Sequence, residues 1–229
     1  DDYRDQLPAD IPWIITMHGC HETILHNPSI DNSFHERMIR MTQRAKWVYT
    51  AEKNLEVFKM VEHPQQLVKI GNGTKDQTLI TQLSRSDLGL SDDSIVLCLA
   101  SRAIESKGWI EAVRLIERLG NKDHNVELLL IGEGPMADIL REKSPANVLL
   151  VGQVSNLHDY LMLCDIGILP SYFPGESFPL ILLEMMCNSL PIIAILLSTS
   201  SSNNLSGKSG STPTLVSYIL TAPYICLIF

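Results

Sequence analysis

The sequence predicts an α/β protein: a doubly wound parallel sheet preceded by the incomplete end of a second unit of the same kind. Three observations carry this. From Ser94 onward short apolar runs alternate with helical periods. Those runs lack the polar alternation of a strand with one face in water, which suits strands covered on both faces. The chain has 229 residues, 45% of them AVILMFWYC, enough for one or two buried cores.

Taken in order, residues 13–18 (WIITMH) read as a strand ending in His-Gly, and residues 33–46 as a mostly polar helix. A short strand at 47–50, a helix at 52–60 and a strand at 67–70 follow, the last closed by Asn72-Gly73. Three strands and two helices do not complete a doubly wound sheet. This part therefore reads as the end of a domain. Strands are then predicted at 95–100 (IVLCLA), 127–131 (ELLLI), 148–151 (VLLV), 166–169 (IGIL) and 191–194 (PIIA). The helix at 109–119 repeats Ala112, Leu115, Ile116 and Leu119 at i, i+3, i+4 and i+7, with Glu111, Arg114, Glu117 and Arg118 opposite. Further helices fit 135–143, 156–163 and 179–188, two of them opened by proline in the first turn. Right-handed crossovers keep each helix on the sheet, which makes this unit Rossmann-like.

The domain reading is residues 1–74 as a partial N-terminal Rossmann-like unit, 75–194 as the main unit, and 195–229 as an atypical tail. The tail holds one charged residue, Lys208; it is rich in Ser, Asn, Gly and Thr, then uncharged and apolar over 214–229. Those 16 residues fall short of the ~20 of a bilayer span. A net charge of −8 disfavours a nucleic-acid binder, which needs a basic surface for phosphates. Five scattered cysteines with no C-x-x-C point to a reducing compartment and away from a thiolate zinc site. With no leader opening the sequence, a cytoplasmic place is expected, and the apolar tail leaves peripheral association with the inner membrane face open.

In open parallel sheets ligands bind beyond the carboxyl ends of the strands, so the loops there are the candidate site. After 95–100, Arg102 and Lys107 share one loop before a helix, where two cations suit a diphosphate. After 127–131 comes Gly132-Glu133-Gly134-Pro135, a tight loop where backbone can approach a flat ligand. After 166–169, Glu176 lies in the loop and Glu184 eight positions later in the helix. Side chains tilt toward a helix N-terminus, so Glu184 can aim at the mouth where Glu176 sits. Carboxylates accept hydrogen bonds from sugar hydroxyls, and first-turn N–H groups can hold phosphate. His18, Cys20, His21 and Glu22 crowd one loop, but no ligand spacing repeats elsewhere, so no metal site is expected.

Residues 171–194, SYFPGESFPLILLEMMCNSLPIIA, resemble the signature of glycosyltransferase family 4, retaining enzymes of the two-Rossmann GT-B architecture. Glu176 and Glu184 match its E-x7-E element. ITMHG at 15–19, KIGNGT at 69–74, ASRAIESKG at 100–108, LLLIGEGP at 128–135 and VGQVSNLHDYLMLCDIGILPS at 151–171 follow the family's order. The resemblance spans residues 11–194. It implies transfer of a sugar from a nucleoside-diphosphate donor to a hydroxyl acceptor, with retention and with no cofactor or essential metal. It implies that Arg102 and Lys107 hold the diphosphate, Glu176 the donor sugar and Glu184 the ribose. The backbone of Phe178 and Leu180 would face the phosphates. The Gly132-Glu133-Gly134 loop would lie near the base, and His18 would face the donor sugar. Pro179 stands where the family commonly has glycine, and proline donates no N–H. The glycine-rich first half of the family's N-terminal domain and its usual sequence after Ala194 have no counterpart here. Two alternatives accompany this reading: a nucleotide-sugar epimerase of the same fold, and an inactive donor-binding fragment.

Overall fold

The computed structural model describes residues 11–18, 44–59, 66–74, 81, 83–120, 122, 124–173, 175–198 and 214–220. Cys20, His21, Glu22, the first part of the predicted helix at 33–46, and much of the tail lie outside these. The chain divides into two compact units: Asp1–Gly73 with Pro174–Pro179, and Thr74–Phe173 with Leu180–Phe229.

The first unit is built on three parallel strands, β1 (Trp13–Met17), β2 (Ala45–Tyr49) and β3 (Leu67–Lys69), in that spatial order. Ala45 and Lys46, expected to end a helix, instead open β2. Burial alternates there with period two: Ala45 and Trp47 are buried while Lys46 is exposed, and each pairs with a residue of β1. The predicted helix at 52–60 forms as a 3-10 helix, Glu52–Lys59. Its entry is fixed by Asn54, whose Oδ1 accepts from Thr50 N (3.2 Å), Thr50 Oγ1 (3.1 Å) and Ala51 N (2.9 Å). Phe58 from that helix meets Trp47 edge-on at 5.3 Å, closing a core with Met17 and Ala45. Ile14 and Val68 stay exposed.

The second unit carries a six-stranded sheet. Its strands are β4 (Ile95–Ala100), β5 (Val126–Ile131), β6 (Val148–Gly152), β7 (Ile166–Leu169), β8 (Ile192–Ser198) and β9 (Thr214–Leu220). Their spatial order is β6-β5-β4-β7-β8-β9, all parallel except the antiparallel β8–β9 pair. The order reverses between β4 and β7, which is a switch point of a doubly wound sheet. β8 runs past the expected strand end at Ala194, and β9 brings part of the tail into the sheet.

Alternate residues of each central strand supply two cores. Leu97 and Leu99 of β4, with Leu128 and Leu130 of β5, pack under α1 (Trp109–Gly120) and α2 (Pro135–Arg141). Val96, Cys98, Ala100, Leu129 and Ile131 face the other way, against α3 (Leu157–Leu161) and α4 (Leu180–Cys187). Both faces are therefore dry, which is why these strands read as unbroken apolar runs. At the amino ends of β4 and β7, Arg85 donates to Leu163 O (2.9 Å), Ser94 O (3.0 Å) and Asp165 Oδ2 (2.8 Å), and the same carboxylate oxygen accepts from Val96 N. No helix among the described residues is long and apolar enough to cross a membrane.

Candidate functional site

The loops leaving β4, β5 and β6 are stitched together beyond the strand ends. Ser101 N donates to Ile131 O (3.0 Å), Ala103 N to Glu133 O (2.8 Å) and Gly132 N to Gly152 O (2.8 Å). Gly132 has φ 136°, and a Cβ there would lie 2.0 Å from the Ser101 carbonyl oxygen. Only glycine fits this approach. The fully buried Trp109 donates its indole N–H to Ser101 Oγ at 2.9 Å. Trp109 is thus a core residue that also fixes the loop after β4. Gly134 precedes Pro135, the first residue of α2, as the proline position predicts.

A cavity of about 310 Å³ opens over these loops, within the size range of small-molecule sites, ~300–1,000 Å³. Its floor is the carboxyl ends of β4 and β5, Ala100–Arg102 and Ile131–Glu133. Gln153, Val154 and Leu157 close one side, and Ile181 and Glu184 of α4 another. Ile181 and Glu184 are one helical turn apart, while Leu182 and Met185 turn into the core. Burial withdraws water from the Glu184 carboxyl and raises its pKa above the ordinary 4.5. The cavity therefore gathers Arg102, Gly132, Glu133 and Glu184 of the predicted residues, and adds Gln153, which no motif singled out.

Lys107 ends a 3-10 turn, Glu105–Lys107, after β4 and is buried. The following Gly108 has φ 76°, and a Cβ there would lie 2.4 Å from Pro170 O. That close approach brings the loop after β7 alongside, where Tyr172 N donates to Ser106 O at 2.9 Å. Phe173 follows, its ring under both Arg102 and Lys107.

Residues 174–179 group with the first unit. Lys53 Nζ donates to Glu176 O (3.1 Å), Asn72 Nδ2 to Phe178 O (3.0 Å) and Ser177 Oγ to His18 O (3.3 Å). Glu176, Phe178 and His18 are thus brought together there. The side chains of Lys53, Asn72 and Ser177 carry contacts that spacing could not reveal, since each reaches across a large sequence separation. Leu180 begins α4 with its side chain exposed, directly after the buried Pro179. Among the described residues no group of three or more His, Cys, Asp or Glu is placed to hold a metal.

A family model described as Glycosyl transferases group 1 matches residues 93–210, just over half of the chain. The chain is 26% identical over 198 residues to the putative teichuronic acid biosynthesis glycosyltransferase TuaC of Bacillus subtilis, covering 81% of this chain and 47% of that protein. It is 31% identical over 120 residues to alpha-galactosylglucosyldiacylglycerol synthase of Streptococcus pneumoniae, covering 48% of this chain and 30% of the synthase. The chain thus spans about half, or less, of the length of these curated relatives. Among solved structures, HepE of Anabaena in complex with UDP-glucose superposes with a TM-score of 0.62 at 17% identity, over 80% of this chain and 53% of HepE. WaaG, a glycosyltransferase involved in lipopolysaccharide biosynthesis, gives a TM-score of 0.62 at 17% identity, over 80% of this chain and 56% of WaaG. These likenesses place the chain in the α/β, Rossmann-like GT-B fold.

Proposed function

Because the chain belongs to the group 1 glycosyltransferases, we propose that its cavity binds a nucleoside-diphosphate sugar. The whole protein would transfer that sugar to a hydroxyl acceptor, with retention at the anomeric carbon, in polysaccharide or glycoconjugate synthesis. The observation that carries this reading is one cavity at the switch point, lined by both a cation, Arg102, and a half-buried carboxylate, Glu184. HepE, of the same fold, is known bound to UDP-glucose.

In this reading Arg102 and Lys107 bind the diphosphate, Glu184 accepts hydrogen bonds from ribose hydroxyls, and the Gly132-Glu133-Gly134 loop lies against the base. Phe178 and Leu180 offer backbone to the phosphates, and Glu176 and His18 serve the donor sugar. During transfer the bond from the anomeric carbon to the diphosphate oxygen breaks, and one to the acceptor oxygen forms on the same face. The acceptor proton leaves for the departing phosphate. Charge grows on the diphosphate as its bond lengthens, and cations already in place lower that barrier. No cofactor and no divalent metal enters this scheme.

Calorimetric titration of UDP-, GDP- and ADP-linked sugars in the presence of EDTA tests it. One donor class is expected to bind. Arg102→Ala and Lys107→Ala should each weaken it by roughly tenfold or more, the ~1.5–3 kcal/mol of a hydrogen bond to a charged group. Failure of all three classes, or binding indifferent to both substitutions, would overturn the assignment.

A further inference from the structure

Ser101 lines the cavity floor, yet the donor reading gives its hydroxyl no task. The buried Trp109 packs against the same floor: a Cβ added at Gly132 would lie 3.4 Å from the indole Cζ2. A buried indole N–H needs an acceptor, and Trp109 Nε1 donates to Ser101 Oγ at 2.9 Å. That bond takes one lone pair of the hydroxyl and leaves its proton to be donated elsewhere. The proton goes to Arg102 O, at 3.2 Å. O–H donors ordinarily sit ~2.5–3.0 Å from their acceptors, so this bond is long and readily exchanged.

We propose that Ser101 is a further ligand-binding residue, whose hydroxyl proton turns from the Arg102 carbonyl to a phosphate oxygen of the nucleotide. Trp109 is the positioning residue that holds Oγ in place for this. The inference rests on the nucleotide-sugar reading above. A phosphate oxygen is the better acceptor, because a hydroxyl bond to an anion is shorter and roughly twice as strong as one between neutral groups. With the oxygen anchored by the indole, the exchange needs only rotation of the proton. Donation to an anion also makes Oγ a stronger acceptor, so the bond from Trp109 tightens when the ligand arrives.

The test titrates UDP, GDP and ADP into the full 229-residue chain and follows whichever binds. Ser101→Ala should weaken that nucleotide by roughly tenfold or more, as for loss of a hydrogen bond to a charged group. It also strands the Trp109 N–H, so the double variant Ser101→Ala with Trp109→Phe removes both partners and leaves no buried orphan. The double variant should bind as weakly as Ser101→Ala. Recovery to the unsubstituted affinity would make the loss a structural one and overturn the proposal. The isotope-labelled indole nitrogens of the three tryptophans supply a second readout, the Trp109 signal being identified by its loss in Trp109→Phe. That signal should move downfield on nucleotide binding as its hydrogen bond tightens. An unmoved signal, or wild-type affinity in Ser101→Ala, overturns the role of the hydroxyl, while binding lost in Arg102→Ala still supports the donor site. If the unsubstituted chain binds none of the three nucleotides, the donor reading falls and this inference falls with it.

Discussion

Glu184 sits on the cavity side of α4 with its carboxyl partly withdrawn from water, and its pKa is raised for that reason. The folded chain holds this proton more tightly than the unfolded chain does. The stability it confers is therefore complete below the ordinary value of 4.5 and is lost as pH rises through the higher folded value. Glu184→Gln should accordingly raise the melting temperature at pH 7 and leave it unchanged near pH 4, while weakening nucleotide binding. Thermal scans at both pH values check the sign, and an equal gain at the two would show that desolvation is not the cause. Much of this was legible beforehand. The eight-residue spacing from Glu176 put Glu184 on a helix leaving the sheet, and the loop position of Arg102 placed it above the strand ends. Phe173 was not legible, because its relation to Arg102 and Lys107 depends on β4 and β7 being neighbours, and no local pattern encodes that.

At the level of elements, the two ends of the central strands do different work. The carboxyl ends carry the cavity; the amino ends are locked by Arg85, whose guanidinium binds three carbonyls and the Asp165 carboxylate. Arg85→Ala should destabilise the second unit by about 2 kcal/mol, as expected for loss of hydrogen bonds involving a charge, and leave nucleotide affinity unchanged. Denaturant unfolding and calorimetry together test this; a parallel loss of affinity would contradict the separation of roles. Helix and strand positions in this unit were readable because both sheet faces are dry and the runs are long. Register was harder. The buried stripe of α1 is Trp109, Ala112, Val113 and Ile116, one position round from the expected face, so Leu115 is exposed. Val113 and Leu115 are both apolar, and periodicity alone does not choose between them. β2 was misread over Ala45 and Lys46 because a two-residue alternation at the edge of a polar segment gives little signal.

Across the whole molecule, the two units have separate cores of unequal size, and the chain passes between them three times, at residues 73–74, 173–174 and 179–180. Differential scanning calorimetry should resolve a first transition for the smaller core and a second for the larger. A saturating nucleotide is expected to raise the second selectively, by about 2.7 kcal/mol of added stability at a hundredfold excess over Kd. A shift confined to the first transition would place the ligand elsewhere. The six-stranded sheet has a broader consequence. With β4 and β5 committed to packing on both faces, almost any exchange along them leaves a hole or a clash. Heritable variation is then channelled into the loops above the strands, so a lineage built on this scaffold can change what its cavity accepts while its framework stands still.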